Sequence, residues 1–199
     1  MHVFSTEDAF VAGLQAFLGL GDFANTFRNN SGTVYFDWDK GRDAIFLNMS
    51  ATRSVARTVT HEYLHIVQGY VEHGGAPVWF LEGLAEWEAA RLRGDPDPGW
   101  LSFFVAQEQL GLAPKLSGLI NQHQWLAVDE SVAYAKSRLA VMYLERIAGP
   151  DAPPSLLTNQ SAVDSPGFEV AFRDLTGLSL EEFESQLLPF AEELISQGD

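Results

Sequence analysis

The chain has no cysteine among its 199 residues, so no disulfide braces it and no thiol serves as a nucleophile. Any metal it binds must take nitrogen and oxygen donors, since cysteine-ligated zinc is excluded. Cations are scarce as well: 12 Lys and Arg stand against 27 Asp and Glu, a formal net charge of −15. That balance argues against nucleic acid as a partner, because phosphates demand clustered Lys and Arg. It also disfavours an anionic membrane surface. No apolar run approaches the ~18 residues that span a bilayer, so no membrane insertion is expected. The start lacks the positive charge of a signal peptide, for Met1-His2 soon meets Glu7 and Asp8. The expectation is a chain that stays inside the cell, cytoplasmic by default, or a segment of a longer exported precursor. Internal repeats and low-complexity segments are also missing.

What is present describes an ordinary globular protein, with 46% hydrophobic and 20% charged residues. One domain over 1–199 is expected, with a helix and small sheet in 1–50, metal-site helices in 51–110 and a helical part in 111–199. Ser5-x-x-Asp8 resembles a capping box, and Phe10, Leu14, Phe17 and Leu18 follow at helical spacing, predicting a helix over 6–20 that ends at Gly19 and Gly21. Residues 33–38 and 44–48 read as strands of a small antiparallel sheet joined by a turn at 39–41. Helices are expected over 52–72, 78–90, 100–110, 129–147 and 168–175, with Ser179-x-x-Glu182 capping a last one that runs to 195. Residues 94–99, Pro153-Pro154 and 159–167 read as loops, and 116–125 shows no clear pattern. The fold class is α+β, predominantly helical.

The helix over 52–72 carries His61-Glu62-Tyr63-Leu64-His65. Positions four apart lie one above the other on a helix, so His61 and His65 can each offer a ring nitrogen to one metal. Glu62 lies ~100° further round the helix, within reach of a metal-bound water without ligating the ion. This is the pattern of a zinc site with a built-in general base. The plainer alternative is a histidine pair satisfied by hydrogen bonds. Apolar stripes at Val59, Tyr63, Ile66, Tyr70 and at Leu64, Val67, Val71 predict a helix buried on most sides.

Glu82 lies among Trp79, Phe80, Leu81, Leu84 and Ala85, where a carboxylate is costly unless paired or bound to a metal. Gly83 beside it costs ~1 kcal/mol of helix stability relative to Ala, which points to close approach of another backbone. Sixteen residues separate His65 from Glu82, enough to leave one helix, turn and return on an antiparallel neighbour. The set His61, His65, Glu82 is then a two-His, one-carboxylate zinc site with a fourth position open to water, one Zn2+ per chain.

In these motifs the chain resembles the gluzincin zinc metallopeptidases, within them the compact peptidase-MA-like domains. The matching residues are His61-Glu-Tyr-Leu-His65 and Trp79-Phe-Leu-Glu82-Gly-Leu-Ala85-Glu86. Ala133-Tyr134-Ala-Lys-Ser137 and Thr176-Gly-Leu-Ser-Leu-Glu-Glu-Phe183 match more loosely, so that the likeness covers about residues 43–190. A metzincin would need Gly at 68 and His at 71, where this chain has Gln68 and Val71. His73 is expected to be a solvated loop residue, and His2 and His123 have no partner at ligand spacing.

The resemblance implies a zincin-type helical core in which His61, His65 and Glu82 hold zinc and Glu62 is the general base. It implies that Glu86 hydrogen-bonds the far nitrogen of a zinc-bound histidine, His61 by position. It makes Tyr134 the oxyanion donor, with Arg138 the weaker alternative, and lets the strand 44–48 pair with an extended substrate. The Gly-x-Met-Glu-Asn motif of related aminopeptidases is missing. The expected activity is zinc-dependent hydrolysis of a peptide or protein substrate, leaning to an endopeptidase. A zinc-containing binding domain that has lost turnover is the alternative.

Overall fold

The computed structural model describes residues 1–36, 43–71, 75–95, 99–159 and 167–198. The expected turn at 39–41, strand residues 37 and 38, Glu72, His73 and much of the loops at 94–99 and 159–167 lie outside the described residues. Those described are predominantly helical with a small three-stranded sheet, an α+β architecture. Among them no helix is long and apolar enough to cross a membrane. The chain divides into two compact units, Met1–Gly69 with Glu88–Pro96 and Tyr70–Trp87 with Asp97–Asp199.

The first unit begins with β1 (His2–Phe4) and α1 (Glu7–Leu18). Thr6 rather than Ser5 caps α1, its hydroxyl accepting the Ala9 N–H at 3.2 Å. The helix stops at Gly19, whose φ of 67° is the left-handed conformation that glycine adopts without strain. Phe10, Val11, Leu14 and Ala24 close over Phe46 as this unit's core. β2 (Gly32–Tyr35) pairs antiparallel with β3 (Ala44–Asn48), Thr33 facing Phe46, as the alternation predicts.

The sheet as a whole is not antiparallel. β1 joins β3 in parallel, with His2 opposite Phe46. Three residues are too few to display a period of two, and what holds them is tertiary: the His2 ring stacks 4.9 Å from Phe46 and lies 4.4 Å from Phe17. The order β1-β3-β2 puts β3 in the centre. Both edges of 44–48 are therefore occupied, which corrects the expectation that this strand receives a substrate. The Asn48 N–H donates to the Ser31 carbonyl at 3.0 Å. By the alternation of an antiparallel ladder, Gly32 and Val34 then direct their N–H and C=O groups outward from β2.

In the second unit α3 (Val78–Arg93, residues 78–87 in this unit) has its first N–H groups satisfied by backbone. Those of Val78 and Trp79 donate to the carbonyls of Ile120 and Leu119, each at 3.0 Å. The stretch that resisted assignment holds a 3-10 turn (Leu116–Gly118) and α5 (Gln122–Trp125), after α4 (Trp100–Gln109). α6 (Glu130–Ala148), capped by Asp129, runs through the core and buries Val132, Leu139, Val141 and Leu144. Its Lys136 is fully buried, with the ammonium 2.6 Å from Glu184 and 3.3 Å from Glu108. A buried cation needs such partners.

The prolines behave differently from the sequence reading. Pro153 and Pro154 stand in the first turn of α7 (Ala152–Asn159), where a missing N–H costs nothing. After α8 (Phe168–Thr176) the Ser179–Glu182 capping box forms as expected, but the final helix is broken into α9 (Leu180–Glu184) and α10 (Leu187–Gln197). Pro189 supplies the reason, since it can neither donate to the Ser185 carbonyl nor sit against it in a continuous helix.

At Gly83 the expected backbone approach is present: a Cβ there would fall on the Ser137 carbonyl oxygen of α6. Alanine adds ~1 kcal/mol of helix propensity at such a site. The clash outweighs it, so Gly83→Ala is expected to lower stability by about 1–3 kcal/mol in chemical denaturation.

Candidate metal centre

α2 (Val55–Val71) carries the His-Glu-x-x-His pattern. Ser54 begins it, its hydroxyl accepting the Arg57 N–H at 3.4 Å. At ~100° per residue, His61, His65 and Gln68 fall on one face and Tyr63, Val67 and Tyr70 on the opposite one. The polar face is the buried one. His61 is 7% exposed and Glu62 and Gln68 5% each, whereas Tyr63 is 58% and Tyr70 54% exposed. This corrects the expectation of a helix buried on its apolar stripes. Periodicity locates a stripe without saying which way it faces, and here the inward polar groups bond to one another.

The His65 Nε2 lies 3.0 Å from the His61 Nε2, with the rings edge to face. The His65 Nδ1 lies 2.8 Å from the Gln68 Oε1. A carboxamide oxygen only accepts, so this contact calls for the proton on Nδ1 of His65, which leaves the lone pair on its Nε2. Two ring nitrogens so close can be bridged by one proton or by one cation. Tetrahedral ligands at ~2.0–2.1 Å from zinc stand about 3.3 Å apart, near the separation seen.

Glu62 is enclosed by the sheet. A Cβ added to Gly32 of β2 would stand 2.7 Å from the Glu62 Oε1 and 2.9 Å from its Cγ. The bare backbone of β2 is thus what leaves room for this carboxylate.

Glu82 lies on α3, half-buried among its apolar neighbours. One ligand atom each of His61, His65 and Glu82 lies within 4.8 Å of the other two. Two imidazoles with a carboxylate are a donor set that suits zinc. Glu86, one turn on, is half-buried.

On α6, Glu130, Tyr134 and Arg138 follow one another at four-residue spacing and so share a face. The Tyr134 ring is half-buried and meets Trp125 edge to face at 4.9 Å. Arg138 is buried and stacks its guanidinium 4.1 Å above the Trp100 ring. Burial pushes the Glu130 carboxyl above its ordinary value, and the charges of Glu82 and Asp129 push it further the same way.

Compared with known family models, curated proteins and solved structures, the chain finds no match. Its own residues must carry the functional reading.

The sequence reading passed over Gln68, Gly32 and Glu130 as parts of this region. Gln68 was legible, three residues beyond His65 on the same helix face. Gly32 looked like any turn glycine, and nothing local to Glu130 shows that Glu82 is near.

Two outcomes follow. Gly32→Ala is expected to cost about 1–3 kcal/mol, and most of that cost is expected to vanish when Glu62→Ala is also present, because the three atoms nearest the added methyl all belong to that side chain. A double-mutant cycle by urea denaturation measures the coupling. For Glu130, a folded-state pKa raised above 4.5 means that ionisation opposes folding, a cost absent below that value and fully present above the folded one. In metal-free protein Glu130→Gln should therefore stabilise at about pH 7 and change little at about pH 4, read from denaturation curves at both.

Proposed function

We propose that the chain is a zinc-dependent peptidase of the gluzincin type, with α2 and α3 as the metal-site helices of a zincin-type core. The observation that carries this reading is the grouping of His61, His65 and Glu82 within 4.8 Å, two of them on a His-Glu-x-x-His helix. The donor atoms are the nitrogen and oxygen kinds that a cysteine-free chain can offer. His61, His65 and Glu82 would hold the zinc, which would supply an acidified water, with a pKa of ~7 in such sites, and a Lewis acid for a substrate carbonyl.

The chain's own residues do the rest. Glu62 takes the proton of the attacking water and passes it to the leaving amine. Its burial against Gly32 restricts the carboxylate to few orientations, which favours a geometry set before substrate arrives. Tyr134 is the hydroxyl proposed to donate to the developing oxyanion. Glu86 is proposed to accept from the far nitrogen of His61, fixing that ring. An extended peptide has the outer edge of β2 to pair with, through the N–H and C=O groups of Gly32 and Val34. Such an edge reads backbone on both sides of a scissile bond, in keeping with an endopeptidase acting on peptide or protein substrates.

Elemental analysis of protein purified without chelators is expected to give about one zinc per chain, lost in Glu82→Ala. Glu62→Gln should keep its zinc and lose about 10²–10⁴-fold of cleavage on a mixed peptide library, the range a general acid–base group contributes. Zinc retained by Glu82→Ala would remove that ligand from the site. Zinc-bound wild type with no cleavage would leave a zinc-containing binding domain in place of the enzyme.

A further inference from the structure

We propose that Gln68 is the positioning residue that sets the tautomer of His65 and so makes its Nε2 available to a metal. The inference rests on the zinc reading above but adds a residue which that reading does not need. An imidazole can ligate through Nε2 only when the ring proton sits on Nδ1. In His65 that nitrogen faces the Gln68 Oε1 at 2.8 Å. With the amide reversed, its NH2 would donate to Nδ1, drive the proton to Nε2 and block the ligand atom. Gln68 is 5% exposed, so its amide is not free to turn into water. The contact is local, three residues apart on one helix, and is built as soon as α2 forms.

The choice of amide over carboxylate has a chemical consequence. Partners of this kind are commonly carboxylates, which also raise the basicity of the ligand. Here the His-Glu-x-x-His pattern already sets the Glu62 carboxyl next to His61 on α2. A neutral acceptor orients His65 without adding another charge to a region that repels it.

The test starts with metal-free protein. Side-chain 15N spectra of the histidines are expected to show His65 with its proton on Nδ1 in the wild type. Gln68→Met, which keeps length and helix propensity but removes the acceptor, is expected to lose that state, and Gln68→Glu to keep it. In competition titrations against a chromophoric chelator, Gln68→Met should bind zinc about 10–100-fold more weakly than wild type, the usual cost of losing such a partner. Gln68→Glu should recover most of the difference. A wild-type His65 protonated on Nε2 would overturn the proposal without any variant. A folded Gln68→Met with wild-type tautomer and affinity would overturn it as well. If wild type binds no zinc, the metal reading fails separately, and the tautomer measurements still decide the role of Gln68.

Discussion

Burying a polar helix face is the constraint on which the rest of this structure turns. α2 directs His61, Glu62 and Gln68 inward and leaves Tyr63 and Tyr70 exposed. Polar groups taken out of water without partners cost several kcal/mol by transfer to a fully apolar medium, about 1–3 in mutational data. The helix meets this with bonds along its own face, from Gln68 to His65 and from His65 to His61. Such a face is weak as a contributor to stability and well suited to hold something. Imidazole nitrogens on such a face are donors of the kind that suit a cation.

Glycine gives the backbone its closest approaches, and two of them bear on the chemistry. At Gly32 a strand passes over Glu62, and at Gly83 the helix of Glu82 lies on the backbone of α6 at Ser137. In each case the residue next to the candidate carboxylate, in space or in sequence, has no side chain. That same closeness makes these positions intolerant of the smallest addition.

The parts of the fold that could be read in advance are those written in short stretches. α1 follows from its apolar spacing and Gly19, β2 and β3 from alternation, α6 from Asp129 and its long apolar repeat, and the start of α9 from the Ser179–Glu182 box. Pro189 was equally local and explains why the last helix is broken, while Pro153 and Pro154 open a helix rather than a loop. β1 was not legible. Its three residues are held by the rings of Phe46, Phe17 and Phe10 and by pairing with β3, contacts outside their own short stretch. The candidate site divides in the same way. His61, Glu62, His65 and Glu82 were named from spacing and from the cost of a carboxylate in an apolar segment. Gly32 was not, because its role exists only where β2 meets α2.

What the sequence by itself determined is the chemical inventory and the local geometry. It limited any metal to nitrogen and oxygen donors, and it placed two imidazoles a helical turn apart, because helical repeat depends only on neighbouring residues. The tertiary structure alone decided which face of α2 turns inward, and that β3 lies at the centre of the sheet with β2 at its edge. Those choices balance desolvation against packing over residues distant in sequence. A periodic pattern records that a helix has two faces; only the partners it meets determine which one is buried.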